Sequence, residues 1–134
     1  MKILTGTDII EINRIKESIE SLGENFKNKI YTDKEIEYCE SRKNVKYQHY
    51  AGRFAAKEAI YKAMSKITIE NKINMSYLDV EIINQDELCG RPKVCILNEN
   101  IQKLCEDKEI EIDVSISHVN DNAISTVIVK VNKE

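Results

Sequence analysis

The sequence predicts an α+β fold, an antiparallel sheet packed on helices, from three observations. The first half of the chain spaces its apolar residues as helices do, and the second half alternates them as strands do. Between them lies an alanine-rich stretch, residues 52–66, with no Gly or Pro after its first residue. On a helical wheel its Phe54, Ala55, Ala56, Ala59, Ile60, Ala63 and Met64 leave almost no side without an apolar group. Such a helix is buried on several sides, so the other elements pack around it. With 134 residues, 42% hydrophobic and 32% charged, the chain has material for one core and a single domain over 1–134.

Residues 3–12 read as a strand that places Leu4, Gly6, Asp8 and Ile10 on one side of the pleat. Asn13 is placed to cap a helix with Ile15, Ile19 and Leu22 as its buried stripe and Gly23 beyond its end. Residues 25–31 add a short turn of helix. Thr32-Asp33-Lys34-Glu35 has capping-box form and opens a helix to about Arg42, with Ile36 and either Cys39 or Tyr38 inward. The central helix begins near Val45 or Tyr47 and ends at Lys66, and residues 67–77, with Asn71 and Asn74, read as a loop. Residues 78–83 and 93–97 are strands separated by Asn84-Gln85-Asp86-Glu87 and Gly90-Arg91-Pro92. Asn98 caps a short helix to about Lys108. Residues 110–118 alternate, with Ile110, Ile112, Val114, Ile116 and His118 on one face, and a turn at 119–122 leads back through a β-branched run at 123–131.

A formal net charge of −3 argues against a general nucleic-acid binder. Cys39, Cys89, Cys95 and Cys105 form no C-x-x-C pair, and His49 and His118 supply no zinc spacing, so the cysteines read as reduced thiols of a cytoplasmic protein. The N-terminal apolar run is too short for a signal peptide, and no span has membrane length.

The charges on the central helix need an explanation. Glu58 and Lys62 are four apart, as are Arg53 and Lys57 on another face. From the helix alone Glu58 and Lys62 read first as a solvated surface pair, with groups that hold a metal or ligand as the alternative. Asp8, on an apolar strand face, is either bonded to backbone N–H groups ahead of the helix or directed at Glu58. Two carboxylates that met without a cation would repel. Mg²⁺ resolves this, since it takes one or two carboxylates with waters and phosphate oxygens, and Lys62 then lies near phosphate. His118 reads as a core histidine or as an anion contact at a strand end beside Ser115 and Ser117. Gly90-Arg91-Pro92-Lys93 reads as a solvated turn or a phosphate cradle. These residues point to a metal-assisted phosphate enzyme.

Together the motifs resemble the holo-acyl-carrier-protein synthase family, the small single-domain 4′-phosphopantetheinyl transferases. The resemblance spans nearly the whole chain. It rests on Gly6-Thr7-Asp8-Ile9-Ile10-Glu11, on Ala51-Gly52-Arg53-Phe54-Ala55-Ala56-Lys57-Glu58-Ala59 followed by Lys62, on Gly90-Arg91-Pro92 and on Ser115-Ile116-Ser117-His118. It implies a 4′-phosphopantetheinyl transferase-like fold that moves phosphopantetheine from coenzyme A to a serine of apo acyl carrier protein, in support of fatty acid biosynthesis. By the resemblance Asp8 and Glu58 hold Mg²⁺, Glu58 or a water takes the serine proton, and Lys62 stabilises charge on the leaving phosphate. Arg53, Lys57, Arg91, Pro92, Ser117 and His118 are then expected around the coenzyme A phosphates and adenosine. The resemblance also implies a homotrimer with active sites at its interfaces.

Two positions depart from the family pattern. Larger transferases carry another acidic ligand two residues after the aspartate, where this chain has Ile10, so a water is expected there; Glu11 has the wrong strand parity. The helix expected to dock the carrier keeps Arg14 and Lys16 but also Glu17, Glu20 and Glu24, with Lys27 and Lys29 further on. The rival readings are a Mg²⁺-dependent phosphodiesterase, disfavoured by the lack of a basic aromatic stripe, and a binding module, which would have no chemical need for Asp8, Glu58 and Lys62 together.

Overall fold

The longest element, helix α4, runs Lys46–Glu70 and is the axis on which a computed structural model describing residues Met1–Glu134 is built. Before it come strand β1 (Lys2–Glu11) and helices α1 (Ile12–Leu22), α2 (Glu24–Ile30) and α3 (Asp33–Ser41). After it come β2 (Val80–Gln85), β3 (Arg91–Ile96), α5 (Glu99–Asp107), β4 (Ile110–His118) and β5 (Asn122–Val131). The α+β class agrees with the sequence reading. No helix is long and apolar enough to cross a membrane.

The strands form two antiparallel sheets rather than one. β1, β5 and β4 make a three-stranded sheet with β5 in the middle, and β2 and β3 make a separate hairpin. The outer edge of β2 is closed by a side chain: the Ile82 N–H donates to Glu35 Oε2 of α3 at 2.8 Å. That donor is satisfied without another strand. The three-stranded sheet lays Gly6, Val114, Val127 and Val129 against α4, joining Ala56, Ala59, Ile60, Ala63 and Met64 in one core. A second core joins Ile12, Ile15, Ile19, Tyr31, Cys39, Tyr50 and Ala51 where α1–α3 meet the start of α4. Burial pushes the Cys39 thiol up to about 12.

Local chemistry explains the boundaries. Thr32 and Glu35 complete the expected capping box, with Glu35 N–H donating to Thr32 Oγ1 and Thr32 N–H to Glu35 Oε1. Asn98 caps α5 by accepting from the N–H groups of Asn100 and Ile101. Gly23 ends α1 at a φ of 58°, its N–H donating to Ile19 O at 2.8 Å.

Three expectations are corrected. Asn13 does not cap α1: it lies inside the helix and donates to Glu17 instead. Leu22 is exposed, because the stripe closes at Ile19. Helix α4 runs past Lys66 to Glu70, since Ile67 and Thr68 are buried and core packing outweighs the modest helix propensity of β-branched residues. Thr68 also directs its hydroxyl back to Met64 O at 3.2 Å.

Candidate active site

Gly6 makes the first contact that positions the site. A Cβ there would lie 2.0 Å from Ala59 O and 2.9 Å from Ala63 N, so β1 rests directly on the backbone of α4. Asp8, two residues along the same strand face, therefore comes to the helix face that bears Lys62. Lys62 Nζ donates to Asp8 Oδ1 and to Thr7 O, each at 2.9 Å. The lysine thus pairs with Asp8 across elements, not with Glu58 along its helix.

Glu58 Oε1 accepts a hydrogen bond from the hydroxyl of Tyr77, in the 3₁₀ turn Tyr77–Asp79 ahead of β2. The Tyr77 ring stacks on Phe54 at 5.7 Å between centroids. Burial first, then the hydrogen bond and charge of Glu58 and the charge of Asp8, hold the phenol well above its usual range. Glu58 and Tyr77 also line a cavity of about 330 Å³ with Tyr61 and Met75 among its other walls.

Lys57 also lines this cavity, but its ammonium is bonded within the chain. Its ammonium donates to Glu35 Oε1 at 2.6 Å, Ile30 O at 2.6 Å and Tyr77 O at 3.0 Å, with its side chain 1% exposed. Burial lowers its pKa, and the charge and hydrogen bond of Glu35 oppose that. All three ammonium donors are used inside the chain, in a structural tie among α2, α3, α4 and the turn before β2.

Arg53, Pro92 and His118 meet elsewhere, around a cavity of about 180 Å³ shared with Tyr38, His49 and Asn84. Arg53 donates to Asn84 Oδ1 and lies 4.2 Å from the centroid of Tyr38, while its buried Nε has no partner. His49 and His118 meet at a centroid distance of 6.2 Å. Arg91 and Ser117 are not among that cavity's lining residues: Arg91 is paired with Asp113 at 2.7 Å in an exposed ion pair, and Ser117 is exposed next to His118 on β4. Adjacent strand residues point to opposite faces, which parts Ser117 from His118.

The 4′-phosphopantetheinyl transferase superfamily description matches residues 5–127. Over 129 residues the chain is 43% identical to a holo-[acyl-carrier-protein] synthase of Ruminiclostridium cellulolyticum, covering 96% of this chain and 92% of that protein. The chain belongs to the holo-acyl-carrier-protein synthase family. A synthase of Fusobacterium nucleatum is 42% identical, with 96% of this chain and 99% of its own covered. Among solved structures of the family, the ACPS–CoA complex of Chronobacterium ammoniagenes matches with a TM-score of 0.80 at 25% identity, over 98% of each chain. The Bacillus anthracis holo-(acyl-carrier-protein) synthase in complex with CoA matches with a TM-score of 0.70 at 30% identity, over 94% of each.

For a family member, the donor set at Asp8 and Glu58 suits Mg²⁺. Both are hard carboxylate oxygen donors, the kind of ligand Mg²⁺ takes, and no group of three or more metal-ligating side chains occurs. Sequence reasoning missed Tyr77, Tyr38 and Asn84. The Ser76-x-x-Asp79 spacing, which brings Ser76 N–H to Asp79 Oδ2 at 2.7 Å, is the signal that would have marked an ordered turn around Tyr77.

Proposed function

We infer that the chain transfers 4′-phosphopantetheine from coenzyme A to a serine hydroxyl of apo acyl carrier protein, releasing adenosine 3′,5′-bisphosphate. The observation that carries this reading is the meeting of Asp8 and Lys62 across β1 and α4, with Glu58 one turn before Lys62, in a chain of this family. The serine oxygen bonds to the phosphorus bearing the pantetheine arm as the bond to the adenosine bisphosphate oxygen breaks. Glu58, or a water it positions, takes the serine proton, and Lys62 stands beside the charge left on the departing phosphate. Asp8 and Glu58 hold Mg²⁺, which when bound neutralises diphosphate charge. Arg53, Pro92 and His118, which line one cavity, receive the adenosine end of coenzyme A, with Arg91 and Ser117 as the chain neighbours of Pro92 and His118.

The working form is a cytoplasmic homotrimer with its sites between subunits. Supporting this, Ile3 and Ile9 of β1 and Ile124 and Ile128 of β5 stand exposed on the sheet face turned away from α4, with Ile9 directly opposite Ile124. An apolar sheet face of this kind favours burial against other copies. Acidic carrier protein docks on α1 through Arg14 and Lys16.

Incubation with coenzyme A, Mg²⁺ and apo acyl carrier protein, followed by intact-mass spectrometry of the carrier, tests the reaction. One added phosphopantetheine is expected, and an unmodified cognate carrier would refute it. Native mass spectrometry of an active preparation tests the trimer, and an active monomer removes it.

A further inference from the structure

We propose that Tyr77 is a positioning residue for Glu58, its hydroxyl fixing carboxylate oxygen Oε1 so that Oε2 is the oxygen left for a divalent cation. The inference rests on the transferase reading of Asp8 and Glu58. Its geometric basis is a continuous set of bonds that begins outside the site. Glu35 of α3 fixes the Lys57 ammonium at 2.6 Å, and that ammonium grips the Tyr77 carbonyl at 3.0 Å. The ring is clamped on Phe54, and the turn beneath it is closed by Ser76 N–H to Asp79 Oδ2 at 2.7 Å and Asp79 N–H to Ser76 O at 3.1 Å. Backbone, ring and turn are each held, so the hydroxyl arrives at Glu58 from a fixed base.

A hydroxyl donating to a carboxylate makes a charge-assisted bond that restricts the rotation of the acid. Groups that orient a metal-ligating carboxylate in this way raise its effective affinity without touching the ion. The buried Glu35–Lys57 pair thereby gains a role beyond stability, because it anchors the residue that aims Glu58.

The test uses Mn²⁺, which takes the same hard oxygen ligands and is counted in its free form by electron paramagnetic resonance. Full-length protein loaded with coenzyme A is titrated as wild type, Tyr77→Phe, Glu58→Gln and the double variant. Tyr77→Phe keeps the ring on Phe54 and the backbone carbonyl, and is expected to weaken Mn²⁺ binding about tenfold, the range typical for loss of an outer-shell partner. In the Glu58→Gln background the same change is expected to cost less than about twofold, since the coupled pair is already broken. In turnover, the Mg²⁺ concentration for half-maximal rate rises while kcat at saturating Mg²⁺ stays near wild type. Unchanged or tighter Mn²⁺ binding in Tyr77→Phe overturns the proposal, as does an equal loss in both backgrounds. Tyr77→Met, which removes ring and hydroxyl together, guards against a folding artefact: a loss seen with Met but not with Phe assigns the effect to packing and also overturns it. Absence of carrier modification by the wild type would refute the transferase reading, whereas full wild-type transfer with an indifferent Tyr77→Phe would refute only this role.

Discussion

Helix α4 carries two pairs of charged residues, each spaced four apart, and the fold treats them in opposite ways. Arg53 and Lys57, both 3% exposed, face α2, α3 and the β2–β3 hairpin, and every donor of Lys57 is bonded within the chain. Glu58 and Lys62 face β1 and the turn before β2, and the Lys62 side chain keeps 51% of its surface in solvent. Burial fixes the first lysine as a fastener, and exposure leaves the second the more weakly held of the two. A charge is available for chemistry when its present partner is weakly held, and solvent-exposed ion pairs are weakly held.

The strongest way to break this contrast is at the acidic side of the open pair. Glu58→Ala and Asp8→Ala are each expected to cut turnover at least ~10²-fold, the scale of losing one electrostatic contact to a transition state. Thermal unfolding should stay close to wild type, and near wild-type transfer at saturating Mg²⁺ would remove the metal assignment.

Lys57→Met inverts that pattern. It leaves the Glu35 carboxylate buried without its cation and is expected to cost ~3–5 kcal/mol of stability by denaturant titration. Turnover per folded molecule at saturating Mg²⁺ should remain within a few-fold of wild type when assayed well below the melting point, because the tie to Tyr77 acts only through the cation. A large specific loss at saturating Mg²⁺ in a fully folded sample would return Lys57 to the phosphates. Lys62→Ala is the opposite control: a stability change below ~1 kcal/mol, because the Lys62 side chain is itself half exposed, with a clear fall in kcat.

The smallest effect concerns pH. His49 lies one turn before Arg53, and burial, then the charges of Arg53, Arg42 and His118, depress its pKa to about 4. The unfolded chain takes up this proton from about pH 6.5 downward while the folded chain resists it until about pH 4. Stability therefore falls as pH drops through that window. His49→Phe should flatten the slope, and an unchanged pH dependence of the denaturation midpoint would show that His49 does not titrate in this way.

Much of this was legible in the sequence because it depends on local periodicity. Alternation at 110–118, the capping box at Thr32 and the Asn98 cap are dictated by residues within a few positions of one another. The placement of Asp8 on the inner face of β1 followed from the same rule. What could not be read is what long-range contacts decide. Whether Lys57 or Lys62 was the free lysine depends on Glu35 and Ile30, 22 and 27 residues away from Lys57 in the chain. The extension of α4 through Ile67 depends on the core that receives it, and the outer edge of β2 meets a carboxylate from α3, 47 residues away, rather than another strand.

The contact at Gly6 has a consequence for how the site is kept in adjustment. Because the strand sits on the carbonyl and amide of α4 with no side chain between, the spacing from Asp8 to the helix is a main-chain dimension, like the jaw of a calliper set by its frame. Repacking of the aliphatic core can soften the protein without changing that gauge. An engineer who wished to open the site for a bulkier phosphate donor would gain nothing from trimming Ala59 or Ala63 and would have to move the strand itself.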